Sequence, residues 1–391
     1  MAGGFMGKVL WVDLSRGPGA FAPHLPWMHP DDLMKRTLQP KAAPSHLAIA
    51  VALGLMFLAA PAIAGDKGVR THKWPNGNRY TGQWDNDKMH GQGTHWWKQA
   101  GMKYIGQWRY NKMHGQGTKT WADGRKYVGA FADNRQDGRG KMTWKSGDSY
   151  DGQWRKDEMD GQGTYRTSAG DTYVGAWRMG KMHGKGKRSM ASKIVYDGHW
   201  QADLKHGHGR QTWRDGRVYD GVWQRGKRTG KATQTWKSGN RYEGAFRDGK
   251  KHGKGTFTWK DGTRYIGDWR DGIRHGKGSY RWPDGGTYQG GWKNGKMNGR
   301  GTRAWKDGGS YEGAFKSDRI QGQGARKWAN GNRATGAFRD GLLHGQGSKR
   351  YADGSTYVGE LKDGKRHGHG IMTAPDGRRR EGRWRDDEAV D

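Results

Sequence analysis

The chain has 391 residues, of which only 32% are hydrophobic, while Gly contributes 70 residues and Trp 22. This composition excludes a conventional aliphatic core, yet so many aromatic residues argue against disorder. The formal charge of +33 favours an anionic partner, such as lipid headgroups, nucleic acid or acidic glycans, over a basic face that only serves solubility. Cys is absent, which excludes disulfides, thiolate metal sites and a Cys nucleophile.

Residues 1–33 resemble nothing else in the chain and contain four prolines that interrupt regular structure. We expect this upstream segment to be absent from the mature protein, because a second possible start, Met34, opens a familiar pattern. Residues 34–64 have the layout of a secretory signal peptide. Basic residues come first, an uncharged apolar run covers 47–60, and Ala62-Ile63-Ala64 supplies a small-x-small cleavage pattern.

The segment 47–64 is also at the lower length limit for a membrane span, so a retained inner-membrane anchor is an alternative to cleavage. A cytosolic protein is the third possibility. We expect export to the periplasm or the extracellular space, followed by a linker at 65–71, a repeat array at 72–386 and an acidic tail at 387–391.

The array repeats every 23 residues. One copy reads YIGDWRDGIRHGKG from Tyr265, and we count positions from this tyrosine as position 0. Equivalent residues recur from Tyr104 to Arg380, and an earlier copy at Tyr80 is one residue longer. A fixed period of this size indicates a tandem architecture that grows by stacking.

Alternation within each half of the repeat predicts two β-strands. Position 0 is usually Tyr, position 2 is Gly and position 4 is Trp or Phe, so these three face the same way. We expect positions 11, 13 and 17, mostly Gly, Gly and Trp, to share one face of the second strand. A Gly beside large rings lets an aromatic ring lie flat on the backbone.

Two turns complete the repeat. Position 7 is Gly, Asp or Asn, the residues that tolerate a left-handed backbone. Positions 19–20 often read Asp-Gly, a strong hairpin signal. We therefore predict an all-β fold in which tandem 23-residue β-hairpin repeats form an elongated single-layer antiparallel meander. Its open edges, near 71–80 and 380–384, invite self-association, which charge at 386–388 is expected to oppose.

The pattern Y-x-G-x-W/F-x-x-G-x-x-H-G-x-G, followed by an aromatic residue and an Asp-Gly turn, resembles the MORN (membrane occupation and recognition nexus) repeat. The resemblance implies a rod or shallow groove of hairpins used for scaffolding, self-association and, in some members, contact with anionic phospholipids. Such repeats also occur fused to plant phosphatidylinositol-phosphate kinases, but nothing outside this array is large enough to be a kinase. Substitutions at Thr167, Met190 and Lys193, and near the C-terminus, predict locally weaker repeats.

Positions 5 and 12 are predominantly basic and are predicted to point away from the aromatic face. Candidate anion-binding residues at position 5 are Arg109, Arg155, Arg178, Arg247, Arg270, Lys293, Lys316, Arg339 and Lys362. Those at position 12 are Lys185, Lys231, Lys254 and Lys277, with Arg139 and Arg300 in the same row. Singly these are ordinary surface residues; in rows they form a cationic strip, and each contributes about 1 kcal/mol toward an anionic bilayer.

Other candidate chemistry belongs to the repeat itself. His recurs at position 10, but equivalent residues of neighbouring repeats are about 10 Å apart and cannot share a metal, so we expect a structural turn hydrogen bond. The segment 249–256 mimics a phosphate loop but has the wrong spacing and precedes a strand. Because no unique set of catalytic residues stands apart from the repeat, we predict neither an enzyme nor a cofactor.

These observations predict a non-catalytic scaffold or binding protein of the cell envelope. It would contact an anionic membrane surface or acidic polymer through its Lys/Arg rows, and a protein partner or second copy through the aromatic face or sheet edges. Two alternatives are a structural self-associating rod without ligand and a single-stranded nucleic-acid binder, since basic charge with aromatics also suits base stacking.

Overall fold

A computed structural model describes residues 68–390 of the protein. The regular structure of these residues consists of β-strands. The upstream segment 1–33, the signal or anchor segment 34–64 and the start of the linker lie outside the described residues. The strands are β1 Gly68–Lys73, β2 Arg79–Asp85, β3 Lys88–Trp97, β4 Met102–Arg109, β5 Lys112–Thr120, β6 Lys126–Ala132, β7 Arg135–Thr143, β8 Ser149–Arg155, β9 Glu158–Arg166, β10 Thr172–Arg178, β11 Lys181–Ser189, β12 Val195–Gln201, β13 Leu204–Thr212, β14 Val218–Gln224 and β15 Lys227–Thr235. They continue with β16 Arg241–Arg247, β17 Lys250–Thr258, β18 Arg264–Arg270, β19 Ile273–Arg281, β20 Thr287–Lys293, β21 Lys296–Ala304, β22 Ser310–Lys316, β23 Arg319–Lys327, β24 Arg333–Arg339, β25 Leu342–Arg350, β26 Thr356–Lys362, β27 Lys365–Thr373, β28 Arg379–Arg385 and β29 Glu388–Ala389.

Each strand pairs antiparallel with the strand that precedes it and the strand that follows it in sequence. The 29 strands form one open sheet, so the predicted single-layer meander is confirmed. Within a repeat the first strand covers positions −1 to 5 and the second covers positions 8 to 16, as β18 and β19 show.

A tyrosine ladder runs along one face of the sheet and replaces a deep core. Tyr265 is fully buried and contacts Trp269 edge-to-face at 5.2 Å and Trp292 of the next repeat at 5.3 Å. Such ring pairs contribute about 0.5–1.5 kcal/mol each beyond the area that they bury. The ladder is continuous until Ala334 and Leu361 replace its Tyr and Trp, which accords with weaker C-terminal repeats.

Glycines at positions 2 and 13 make room for the tyrosine ring. A Cβ at Gly267 would lie 2.5 Å from the Tyr265 hydroxyl, and one at Gly278 would lie 2.5 Å from the ring. The two glycines also pair directly with each other across the hairpin. The predicted role of these glycines as ring seats is therefore confirmed.

A β-bulge follows position 2 in every full repeat, and where position 0 is Tyr its hydroxyl fills the gap that the bulge leaves. In the β18–β19 hairpin the register shifts after Gly267. The Tyr265 hydroxyl donates to the carbonyl of Asp268 at 2.8 Å and to that of His275 at 3.5 Å. Burial raises the pKa of the ladder tyrosines, that of Tyr288 to about 12.

The glycine at position 11 does not share the ring face, so that part of the sequence prediction was wrong. Gly276 has a φ of 64° and lies in the bulge. A Cβ built there would lie 2.6 Å from the carboxylate of Asp268, whose side chain is on the face opposite the ladder. The glycine is required because the bulge residue adopts a left-handed conformation.

The two connections differ in length. Between the strands of a hairpin, positions 6 and 7 both have positive φ, such as 50° at Tyr110 and 67° at Asn111, which defines a two-residue type I′ turn. The left-handed conformation was predicted from the sequence at position 7 but not at position 6. The Asp-Gly pair instead lies in a five-residue loop such as 121–125, where Gly124 has a φ of 87° and donates to the Trp121 carbonyl.

The ends of the sheet lie slightly outside the predicted edges. β1 begins at Gly68, so the sheet starts within the segment predicted as a linker. At the other end Asp386 and Asp387 are the turn of a last short hairpin, and Asp387 accepts a hydrogen bond from the Arg366 N–H at 2.8 Å. These two acids therefore close a hairpin rather than project beyond the edge.

Replacing the ladder tyrosine by Phe tests the importance of its hydroxyl. In Tyr150→Phe the carbonyl of Gln153 loses a donor at 2.9 Å while the ring packing is kept. We expect a loss of about 1–2 kcal/mol in the free energy of unfolding, because a buried acceptor is left unpaired. Urea unfolding monitored by tryptophan fluorescence measures it.

Tyr110→Phe is the matched control, because this tyrosine lies in a turn and is 55% exposed. We expect a change within about 0.5 kcal/mol. Equal effects of the two substitutions would show that the ladder hydroxyl does not stabilise the bulge.

Candidate anion-binding face

All thirteen candidate residues lie exposed on the face opposite the tyrosine ladder. Their side chains alternate with the buried residues of the same strands, as Arg270 does with Trp269. The position 5 members are Arg109, Arg155, Arg178, Arg247, Arg270, Lys293, Lys316, Arg339 and Lys362, and the position 12 members are Lys185, Lys231, Lys254 and Lys277.

A second basic row, at position 8, runs beside the position 5 row and was missed in the sequence. The two-residue turn pairs position 5 with position 8. Six hairpins carry two cations in this pair. They are Arg109/Lys112, Arg178/Lys181, Arg247/Lys250, Lys293/Lys296, Lys316/Arg319 and Lys362/Lys365. The Gly, Asp or Asn at position 7 could have revealed this row from the sequence. These residues indicate a two-residue turn, and the length of a turn determines which residues of the two strands face each other.

The position 12 row is continuously basic only in the centre of the array. Six successive repeats place Lys185, His208, Lys231, Lys254, Lys277 and Arg300 there. The flanking repeats have Gln162 and Gln323 instead. Because strands are about 4.8 Å apart, successive members are about 10 Å apart.

A groove of about 1470 Å³ follows most of this central row. Its lining includes the cations Arg210, Lys231, Arg241, Lys254, Lys277 and Arg300 and the carboxylates of Asp220 and Glu243. With Asp268, which contacts Lys254, six cations against three carboxylates leave a net charge of +3 when His208 is counted as neutral. An open groove with this charge balance attracts anions in extended form.

Few of the candidate cations are neutralised by neighbours. Lys254 contacts Asp268 at 2.7 Å, Arg155 contacts Asp160 at 2.7 Å, and Arg339 contacts Asp363 at 3.3 Å. Within residues 68–390, no carboxylate lies within 4 Å of the other ten side chains. Their charge therefore remains available to an external anion.

The position 10 histidines do not make the expected side-chain hydrogen bond. Six of them have a buried Nδ1 without a hydrogen-bond partner, namely His90, His114, His206, His252, His344 and His367. It is their main-chain carbonyl that is used, as for His275, which accepts from Tyr265. The part of the chain that the structure describes contains no group of three or more metal-binding side chains.

The aromatic face is not free of charge, contrary to the division predicted from the sequence. Position 9 is Lys205, Arg228, Lys251 and Arg274 in four successive repeats, and the ammonium of Lys251 lies 4.0 Å from the centre of the Trp269 ring. Burial lowers the pKa of both lysines to about 8. Arg366 occupies the same position in the last full repeat, but sequence periodicity did not reveal this row because the remaining repeats have Met, Gln, Ile or Leu there.

The model of the MORN repeat matches thirteen consecutive segments, from residues 80–99 to residues 357–378. The chain belongs to the MORN repeat family. The matched segments follow the hairpins of the sheet, and the family supports a repeat scaffold or binding protein in general terms. No helix among residues 68–390 is both long and apolar enough to span a membrane.

The search among curated proteins found no significant match. Solved structures similar to this MORN repeat protein include the TCP10 domain of Danio rerio CPAP in complex with a STIL peptide. That chain is 11% identical, with 68% of this chain and 98% of that one covered and a TM-score of 0.22. A virginiamycin B lyase from Staphylococcus aureus is 8% identical over 82% of this chain and 85% of that one, with a TM-score of 0.11. Likenesses of this size carry no functional argument.

Replacing Lys251 by Met tests the cost of burying a cation on the aromatic face. Met is the residue at the same position of several other repeats. Because the pKa of Lys251 is lowered from 10.5 to about 8, its charged form is disfavoured in the folded protein at neutral pH. We expect Lys251→Met to raise the free energy of unfolding at neutral pH by about 1–2 kcal/mol, allowing for partial exposure.

The sign of the pH dependence follows from the same shift. Above about pH 8 the folded protein releases the proton that the unfolded chain keeps until about pH 10.5, so the wild type gains stability across that window. The difference between variant and wild type should therefore shrink as pH rises, in chemical unfolding at several pH values. Lys250→Met, at an exposed neighbour, is the control, and a difference that does not change with pH would contradict this account.

Proposed function

We propose that this MORN repeat protein is a non-catalytic binding protein of the cell envelope that contacts anionic surfaces through its lysine and arginine rows. The surfaces are phospholipid headgroups or acidic polymers. The observation that carries the proposal is the set of ten exposed candidate cations on one face of a single sheet, which have no carboxylate of residues 68–390 within 4 Å.

The geometry suits a binding mode of many weak contacts. Each basic side chain contributes about 1 kcal/mol next to an anionic bilayer, so one repeat binds too weakly to matter and an array binds well. The spacing of about 10 Å between repeats is close to the Debye length of about 10 Å at 0.1 M salt. Equivalent cations of successive repeats are therefore partly screened from each other, and each can meet a separate anion.

The signal-peptide pattern predicted from the sequence supports the envelope part of the proposal. Basic residues, an apolar run and a small-residue cleavage pattern lie in the right order before the array. We expect Edman sequencing of the mature protein to begin at Gly65, because that residue follows Ala62-Ile63-Ala64. An N-terminus at Met1 or Met34 in the cytosolic fraction would contradict export.

Pelleting with vesicles tests binding to anionic lipid. We expect binding to phosphatidylglycerol vesicles but not to phosphatidylcholine vesicles, and a loss of binding between about 50 and 500 mM salt because a cationic strip is screened. Removing four cations from two doubly basic hairpins, Arg109→Gln, Lys112→Gln, Arg178→Gln and Lys181→Gln, should weaken binding at least about tenfold.

Ile273→Gln with Leu342→Gln is the control, since these exposed position 8 residues change without loss of charge. Equal binding to both vesicle types, or binding unaffected by salt, would exclude the proposal for lipid. Light scattering of the protein alone separates ligand binding from self-association, and competition by single-stranded DNA at equal charge would favour a nucleic-acid partner instead.

A further inference from the structure

The bulge exposes a main-chain N–H at position 12, and some repeats cover it with their own side chain. Gln153 accepts from the N–H of Gln162 through Oε1 at 2.6 Å. Gln83 and Gln107 make the same contact with Gln92 and Gln116, at 2.6 and 2.8 Å. In these repeats the oxygen of the position 3 side chain therefore lies beside the bulge and accepts a hydrogen bond from the position 12 N–H.

In one repeat of the groove this place is taken by a carboxylate. Oδ2 of Asp268 accepts from the N–H of Lys277 at 2.9 Å, and Oδ1 contacts Nζ of Lys254 at 2.7 Å. Lys254 belongs to the preceding repeat and pairs with Asp268 across the strands. Although partial burial opposes the shift, these two donors lower the pKa of Asp268. The protein thus contains an example of a carboxylate bound between a bulge N–H and a lysine.

The preceding repeat has the same donors but lacks the carboxylate. Its position 3 residue is Ala245, whose side chain ends at Cβ and cannot reach the N–H of Lys254. The backbone is the same, because the Tyr242 hydroxyl donates to the Ala245 carbonyl at 2.9 Å as Tyr265 does to that of Asp268 at 2.8 Å. Lys231 pairs with Ala245 as Lys254 pairs with Asp268, and within residues 68–390 no carboxylate lies within 4 Å of Lys231.

We propose that the place above Ala245 is a binding site for a carboxylate of a partner protein, an Asp or Glu side chain in an extended acidic segment that lies in the groove. The Lys254 N–H and the Lys231 ammonium hold the two oxygens as their counterparts hold Asp268. The inference rests on the proposed anion-binding function. It specifies the residues that form one of the anion-binding sites and the ligand that this site binds.

The spacing of the groove favours an extended polypeptide. An extended chain advances about 3.3 Å per residue, so three residues span the roughly 10 Å between repeats and six span two repeats. A segment with regularly spaced acidic residues can therefore place one carboxylate above Ala245 and others near Lys277 and Arg300, which also line the groove.

Ala245→Gln separates a specific site from general attraction. The substitution places in this repeat the side chain that covers the N–H in three others, and it leaves the charge unchanged. Ala337→Gln is the matched control, because its strand neighbour Gln323 and the bulge residue Gln346 are both uncharged. Asp268→Ala has the opposite purpose, since it removes the internal carboxylate and opens a second site.

The probe is a fluorescent peptide of about twelve residues in which Asp alternates with Gly, long enough to span about four repeats. Fluorescence anisotropy with the full chain should show binding of this peptide and not of its Asn counterpart. We expect Ala245→Gln to weaken binding about tenfold, as for loss of a hydrogen bond to a charged group, Asp268→Ala to strengthen it about threefold, and Ala337→Gln to change nothing.

Unchanged affinity in Ala245→Gln would overturn the site and leave the proposed function intact, because the cationic rows remain. An equal loss of binding to phosphatidylglycerol vesicles and to the peptide in this variant would assign the site to phosphate and overturn the peptide ligand. Binding of polygalacturonate in place of the peptide would overturn it too. Lys231→Gln is the second variant should Ala245→Gln fold poorly, and unaltered peptide affinity there would also reject the site.

Discussion

The hydrogen bond from the ladder tyrosine to the position 3 carbonyl is the interaction on which the rest of the repeat depends. A β-bulge disrupts the backbone ladder at this point, and an unpaired carbonyl there would be costly in a single-layer sheet. The hydroxyl of Tyr265 supplies the missing donor while its ring lies on Gly267 and Gly278. The glycines at positions 2 and 13 accommodate that ring, while the left-handed glycine at position 11 and the exposed N–H at position 12 belong to the same bulge.

Stability and recognition are divided between the two faces, although not by charge alone. The ladder face contains the rings that bury one repeat against the next, and in five repeats it also contains position 9 cations that stack on them. The candidate cations of the opposite face are exposed, so we expect these residues to vary without loss of the fold. One repeat has Gln153 at position 3 and Gln162 at position 12, whereas another has Ala245 and Lys254 at these positions. The exchange alters the surface while the backbone stays the same.

Periodicity was sufficient to predict the strands, the ring seats and the turn glycines, because each depends on alternation along one strand or on φ at one residue. Other features depend on two strands at once. The pairing of Lys112 with Arg109 requires the turn length, and the bulge at Gly276 requires the register between β18 and β19. A regular alternation from position 8 to position 16 placed Gly276 on the wrong face, because this residue adopts a left-handed conformation within the bulge and departs from the alternation there.

By itself the sequence determined that the protein is a meander of hairpins with a ring-bearing face and basic rows, since a repeat of 23 residues with fixed Tyr, Gly and Trp allows little else. Only the tertiary structure decided which basic residues form a groove and which donors converge on one point. Lys231, Lys254 and Ala245 are separated in sequence and come together through the pairing of β15 with β16 and β17 with β16. Register, unlike alternation, is a property of two strands, and a single strand's residues do not reveal it.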